Sequence, residues 1–267
     1  MSVIDAASVI TLYRDGPADG PENMAADECL ANEAVRRDGL VIRLYSWKTT
    51  TVSLGAFQAS HDAHECSALK NLPLVRRPSG GGAIVHGSDV TYAAAIPRHH
   101  PWAAQPQLLY DAFHGAMVES LKARGIRARL AFGETAAEEH FFCFDRRSSG
   151  DLVVDLEGDA LVSRGTKVMG SAQRRRATAV LQHGSLLVHS NKAVGLSGRH
   201  AGLCDLQESG VQAPEDVDAC ICTWLHGLSS MLHAKIDEQS HAFIDTEPLG
   251  FEDNLRRFGH ARWTLRR

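Results

Sequence analysis

Apolar and polar positions alternate over residues 8–13 as they do in a half-buried strand. Gly20-Pro21-Glu22-Asn23 then opens a helix that Met24, Asp27, Glu28 and residues 30–35 carry to a stop at Asp38-Gly39. Residues 41–46 and 51–54 read as consecutive strands separated by a short turn. Residues 74–77, 83–86 and 90–96 form a second strand group around a glycine-rich loop. Leu108, Leu109, Ala112, Met117, Val118 and Leu121 fall near helical spacing and predict an amphipathic helix over 107–124, ended by Gly125. Residues 126–130 return as a strand, and 133–142 are weakly patterned and predict a loop. Short strands are expected at 151–156, 160–163 and 167–169, a longer one at 179–188, and a helix at 216–232. The stretch from Asp237 onward is mixed and predicts a short helix followed by a strand-like tail. Runs of strands interrupted by a few helices argue for an α+β fold over a doubly wound sheet.

Composition narrows the classes without choosing among them. With 267 residues, 44% hydrophobic and 22% charged, the chain can bury a full core, and no repeat or linker divides it, so a single domain over 1–267 is expected. A net charge of -4 argues against a general nucleic-acid binder. No apolar stretch approaches the roughly 20 residues needed to cross a bilayer, and residues 1–10 lack the pattern of a signal peptide, so a cytoplasmic protein is expected. Cys29, Cys66, Cys143, Cys204, Cys220 and Cys222 are scattered and include no C-x-x-C pair, so neither a disulfide framework nor a structural metal is expected. Most should be small buried apolar residues, with Cys220 and Cys222 on different sides of a helix.

Two glycine-containing segments carry the candidate chemistry. Lys167 sits in Gly165-Thr166-Lys167-Val168-Met169-Gly170-Ser171-Ala172-Gln173, followed by Arg174, Arg175 and Arg176 and then by Gln182-His183-Gly184-Ser185. Lysine beside a glycine turn can set an ammonium against a carbonyl or phosphate oxygen, while a solvated basic hairpin has the same spacing. The other segment, Arg76-Arg77-Pro78-Ser79-Gly80-Gly81-Gly82-Ala83-Ile84-Val85-His86, joins two strand-like stretches. Three glycines let another molecule approach the backbone closely, but no Gly-Lys-Ser/Thr follows and a strand comes next, so this is not a P-loop. Cys143 lies among Phe141, Phe142 and Phe144, as core cysteines do, yet its loop setting and nearby cations suit a thiolate nucleophile. For Asp27 and Glu28, helix-surface or capping roles are expected; His86 and His183 read as structural hydrogen-bonding residues, and the three arginines as a solvated face or a dock for an acidic partner.

Together with Asn23-Met24-Ala25-Ala26-Asp27-Glu28, these segments resemble in content and order the lipoate–protein ligases and octanoyltransferases, relatives of the biotin–protein ligases. The resemblance spans roughly residues 10–200 and implies the biotin/lipoate ligase fold (class II synthetase-like), a mostly antiparallel sheet flanked by helices. Cys143-Phe144-Asp145 ahead of the lysine motif is similar to the cysteine-dependent, LipM-type octanoyltransferases. The resemblance implies that Cys143 carries the acyl group as a thioester and that Lys167 acts at the acyl carbonyl or beside the acceptor amine. Substrate-binding roles are implied for Arg77, Ser79, Gly80, Gly81, Gly82, Ala83, His86, Gly170, Ser171, Ala172, His183 and Gly184, with Asp89, Thr91 and Tyr92 orienting the glycine loop. The implied partners are acyl carrier protein as donor and a lipoyl-domain acceptor, H-protein or a 2-oxoacid dehydrogenase E2, with no cofactor. The alternatives are a lipoate–protein ligase using ATP and Mg²⁺, many of which carry an extra C-terminal domain for which this chain has no room, and a non-catalytic lipoyl-domain or carrier binding protein. Two departures stand out: residues 155–166 are longer than the usual link, and the loop reads Gly-Gly-Gly as in the ligases.

Overall fold

The computed structural model describes residues 8–133, 141–155, 165–191, 201–206, 214 and 216–267. An edge-to-edge sheet of eight strands forms its centre. Those strands are β1 (Ser8–Ala18), β2 (Leu40–Trp47), β6 (Asp89–Pro97), β7 (Ala128–Leu130), β8 (Leu152–Val154), β9 (Thr166–Arg175), β10 (Ala179–Leu187) and β11 (Ala234–Glu238). Their spatial order is β11-β1-β2-β6-β10-β9-β8-β7. The pairs of β1 with β11 and β2 are parallel and the rest antiparallel, so the expected mostly antiparallel α+β sheet is present.

Alternation along these strands explains why they bury both faces. Leu12, Ile42, Leu44, Ala94 and Ile96 point to one side, where they pack with Phe113, Met117 and Leu121 of α3 (Pro106–Lys122) and Trp224 and Leu228 of α4 (Val217–Met231). Tyr13, Val41, Tyr45, Ala93 and Ala95 point to the other, against Met24, Ala26 and Leu30 of α1 (Gly20–Arg37) and Phe258 of α5 (Phe251–Gly259). A capping box starts α1: Asp19 accepts from the Glu22 backbone N–H while the Glu22 side chain accepts from Asp19 N–H. Among the described residues no helix is long and apolar enough to cross a membrane.

Several sequence expectations are corrected. β3 (Thr51–Leu54), β4 (Leu74–Arg76) and β5 (Ile84–His86) do not join the strands beside them in sequence; they form a separate three-stranded sheet in the order β4-β3-β5. Its own small core of Val52, Leu54, Leu69, Val85 and Phe142 makes that partition stable. The strand expected at 167–169 is the first part of the ten-residue β9. The chain ends in α5 and α6 (Ala261–Thr264), not in a strand-like tail. Phe251, Leu255 and Phe258 recur at helical spacing and pack on the α1 side, with Glu252 and Asp253 in the first turn and Arg256 and Arg257 in the last. A short helix, α2 (His61–Glu65), was not legible from the pattern. The expected strand at 160–163, most of the loop at 133–142 and most of the long link at 155–166 lie outside the described residues. Of the six cysteines only Cys29 and Cys220 are fully buried, fewer than expected, while Cys222 is exposed on the other side of its helix from Cys220.

Candidate active site

The glycine loop connects β4 to β5 and is held from within by Arg77. This guanidinium donates to Ser53 O (2.9 Å), Ser53 Oγ (3.1 Å), Gly80 O (2.9 Å) and Gly82 O (2.6 Å). It is buried and, among the described residues, pairs with no carboxylate. Burial, with the nearby cations of Arg146 and Arg76, lowers its pKa to about 10. Gly82 must be glycine because a Cβ there would lie 2.7 Å from the Cys143 backbone nitrogen. That close approach is tied by reciprocal bonds: Ala83 N–H donates to Phe141 O and Cys143 N–H to Ala83 O, each at 2.8 Å. The loop thereby brings Cys143, which opens a single 3-10 turn (Cys143–Asp145), against the small sheet.

β9 delivers Lys167 to the same place from the large sheet. Its Nζ is 3.8 Å from Cys143 Sγ and donates to Cys143 O at 3.2 Å. A third contact, 2.7 Å to Asp151 Oδ2, makes a buried ion pair, with both side chains 4% exposed or less. The ammonium also sits 5.5 Å from the Phe144 ring centroid. Asp151 is oriented in turn by Tyr110 Oη (2.8 Å) and by Ser148 N–H (2.8 Å). Burial and the adjacent Asp151 carboxylate both raise the pKa of Tyr110, so its phenol stays a donor. Sequence reasoning missed Asp151 and Tyr110, because nothing local marks the partner of a buried lysine.

Behind β9 a one-way hydrogen-bond chain fixes Ser171. Gln173 donates to Gln182 Oε1 (2.6 Å) and Gln182 to Tyr92 Oη (2.8 Å). Tyr92 Oη lies 2.6 Å from Ser171 Oγ, which lies 2.6 Å from His114 Nε2; His114 Nδ1 donates to Gly150 O at 2.7 Å. Because a carbonyl only accepts, Nδ1 carries the proton and Nε2 receives that of Ser171. The Ser171 hydroxyl is thereby committed to His114, although the residue borders the cavity. Burial lowers the His114 pKa from 6.5 to about 4. Between those values the unfolded chain binds more protons than the folded one, so this group's contribution to stability falls as pH drops from about 6.5 to about 4. His114→Gln is expected to show a shallower loss of stability over that window, read as the urea midpoint against pH.

Two further relays frame the cavity. His86 has Asp89 Oδ2 at 2.8 Å from Nδ1 and Ser53 Oγ at 2.8 Å from Nε2, and its ring stacks on Trp47 with centroids 4.0 Å apart. Asp89 also accepts from Thr91 Oγ1 (2.7 Å), Ser185 Oγ (2.6 Å) and Gly87 N–H (3.0 Å). Although burial raises its pKa, the His86 charge and the hydrogen bonds it accepts hold it down at about 2. His183 bridges Ser79 Oγ, through Nε2, to Asp27 Oδ2, 3.2 Å from Nδ1. Each histidine thus lies between a hydroxyl and a carboxylate, and Asp89 and Thr91 are bonded to each other at the turn after the glycine loop, whereas Tyr92 bonds Ser171 and Gln182 instead.

Asp27 and Glu28 are not surface residues, contrary to expectation. Asp27 is fully buried between Arg43 (3.0 Å) and Tyr45 Oη (2.8 Å). Glu28 is 2% exposed and faces Arg174 (3.7 Å), Arg176 (3.4 Å) and Arg257 (3.0 Å). Arg175 donates to Ala103 O at 3.1 Å. The arginine run is therefore largely tied down, and only in part a solvated face. The apolar residues around Asp27, Met24 to Ala26 and Leu30, were the available signal that this helix face is buried.

These parts line one cavity whose empty space, open mouth included, is about 460 Å³. Of the sequence-selected residues, Arg77, Gly81, His86, Cys143, Gly170, Ser171, Ala172, His183 and Gly184 line it. Ser79, Gly80, Gly82, Ala83 and Lys167 are not among the lining residues, although Lys167 Nζ reaches Cys143 beside the cavity. Thr91, expected to orient the loop, also lines the cavity, and Met24, Tyr45, Trp47, Ser53, Ile84 and Ser185 contribute walls without having been given a site role from sequence.

Comparison with known proteins places this geometry. The model of the lipoyl protein ligase A/B catalytic domain matches residues 19–213. Octanoyltransferase LipM from Carboxydothermus hydrogenoformans is 36% identical over 174 residues, covering 63% of this chain; the chain spans 61% of that relative's length. A solved structure of a putative lipoate protein ligase from T. acidophilum, protein Ta0514, superposes with a TM-score of 0.70 at 20% identity over 98% of this chain and 100% of that one. The bipartite lipoate protein ligase of Thermoplasma acidophilum, described with its E2 lipoyl domain, gives 0.66 at 19% identity over 97% and 96%. At these identities the structures speak for the fold, which is that of the lipoate ligases. The match over most of the chain, with the glycine loop, cysteine and lysine meeting at one cavity, makes this chain a member of the lipoyl protein ligase A/B catalytic-domain family.

Proposed function

We propose that this chain is an octanoyltransferase that moves an octanoyl group from acyl carrier protein onto Cys143 and then onto a lysine of a lipoyl-domain protein. The observation that carries the reading is the 3.8 Å approach of Lys167 Nζ to Cys143 Sγ at a largely apolar cavity. Attack by a cysteine requires its sulfur to carry negative charge, and Lys167 sets a cation beside that sulfur. In the first step Sγ attacks the donor thioester carbonyl, a C–S bond forms to Cys143, and the carrier thiolate leaves. In the second, the acceptor amine, having lost a proton, attacks the Cys143 thioester; the amide forms and the Cys143 thiolate leaves. Lys167 is placed to stabilise negative charge on the carbonyl oxygen in both steps, and Asp151 holds it there. Thioester exchange is nearly balanced and amide formation drives the sequence, so the reaction calls for no nucleotide or metal. Identity to the LipM relative supports this reading over the ATP-dependent ligase, because the fold is common to both.

Intact mass of an apo lipoyl domain is expected to rise by one octanoyl group when the protein is supplied with octanoyl carrier protein and no nucleotide. Gain of mass only with free octanoate and ATP would replace the transferase by the ligase. No gain under either condition would leave a binding protein.

A further inference from the structure

Between Asn254 and Arg267 the chain carries five arginines and no carboxylate side chain, in a protein whose net charge is -4. The fold fastens this segment beside the glycine loop. Trp263 Nε1 donates to Arg76 O, and Arg76 Nε donates to Thr264 O, each at 2.8 Å. Arg266 lies 3.6 Å over the Trp263 ring and donates to Ala56 O at 3.3 Å. Arg267 lies 5.3 Å from the ring of Phe57, which is 73% exposed and is the neighbour that a Cβ on Gly80 would meet at 3.8 Å. The next glycine, Gly81, lines the cavity with Cys143.

Within the described residues this charge is compensated only in part: Arg256 pairs with Asp253 and Arg257 with Glu28. Glu28 faces Arg174, Arg176 and Arg257, whereas Arg262, Arg266 and Arg267 form no ion pair there. Beneath them Arg76 is fully buried without a carboxylate, and its Nη2 has no hydrogen-bond partner. Burial first, then the charges of Arg266 and Arg267, lowers the Arg76 pKa, and Arg266 is lowered by burial and by Arg267, Arg174 and Arg257. A rim that concentrates like charge over a buried arginine bonded only to backbone carbonyls is suited to an anion brought from outside.

We propose that this arginine–aromatic rim docks the acyl donor, an acidic carrier protein whose thioester arm includes a phosphodiester. The proposal rests on the transferase reading above. Guanidinium groups match phosphate and carboxylate oxygens in pairs, and Phe57 and Trp263 offer the flat apolar contact on which interfaces concentrate their energy. The donor fits better than the acceptor because the acceptor must present a lysine ammonium, which the rim repels. Docked here, the donor would stand at the glycine loop that borders Cys143.

The test compares Arg266→Glu/Arg267→Glu, and separately Arg262→Glu, with the native chain in single half-reactions read by intact mass. Acylation of Cys143 by octanoyl carrier protein is expected to slow by about 10- to 100-fold at low salt and to lose its salt dependence. Acylation by octanoyl-pantetheine, which has neither carrier protein nor phosphate, should keep the native rate, as should discharge of preloaded Cys143 to the lipoyl domain. Equal slowing with the small thioester would mean a damaged site, slowing confined to discharge would assign the rim to the acceptor, and unchanged rates would remove its role; each overturns the proposal. If the native chain forms no Cys143 thioester from either donor, the transferase reading itself fails, an outcome distinct from all three.

Discussion

Cys143→Ala is expected to fold normally yet neither take up an octanoyl group nor pass one on. The thiol is half-buried at the cavity, and its removal deletes one sulfur from a turn otherwise held by backbone bonds to Ala83 and by Phe142 and Phe144. Ser171, which also lines the cavity, has its hydroxyl proton committed to His114, and Ser79 hydrogen-bonds His183 behind the lining. The native protein, incubated with octanoyl carrier protein and no acceptor, should gain one adduct that hydroxylamine removes and that maps to Cys143 among the six cysteines. Cys143→Ser should trap an oxygen ester slowly or not at all, since a hydroxyl without an activating base is a weak nucleophile. Full transfer by Cys143→Ala would return the thiol to a packing role and favour the adenylate-forming ligase.

Lys167→Ala is expected to lose both activity and stability, and the two losses can be separated. The ammonium is buried and shares a 2.7 Å ion pair with Asp151, so its removal leaves a buried carboxylate held only by Tyr110 and Ser148. Breaking a buried pair in this way typically costs about 3–5 kcal/mol. Loss of one preorganised charge at the acyl oxygen is worth about 3 kcal/mol more in the transition state, on the order of a hundredfold in rate. The double variant Lys167→Met/Asp151→Asn removes both charges at once. It should recover most of the stability in urea denaturation while acyl transfer stays lost. Recovery of transfer along with stability would mean that Lys167 serves the fold alone.

Periodicity and short motifs made much of this protein legible in advance. Capping residues and spacing located α1, α3 and α4, and the strand-like stretches located β1, β2, β6 and β10 but only the first part of β9, because a helix or strand that buries a face must repeat at its own period. The glycine loop, Lys167 and Cys143 were singled out because close backbone approach, a lone lysine by a glycine and a thiol near cations each leave a local trace, although Gly170-Ser171-Ala172 lies within β9 and is not the turn the sequence suggested.

What sequence could not decide were pairings between residues far apart along the chain. Thr51–Leu54 reads as the partner of the strand before it, yet it leaves the large sheet for β4 and β5, a choice set by the small core around Val52 and Leu54. Asp27 is separated by 16 residues from Arg43 and by 156 from His183, so only strand order and register revealed that its carboxylate is buried and shared. Asp151 is indistinguishable in sequence from any acid at a strand start until β8 and β9 pair and set it 2.7 Å from Lys167. Local pattern determined which faces would be buried and where the chemistry-bearing groups sit along the chain. Which charge met which was decided only by tertiary structure, because the energy of a buried ion pair depends on distance and desolvation, and neither exists until the sheets close over it.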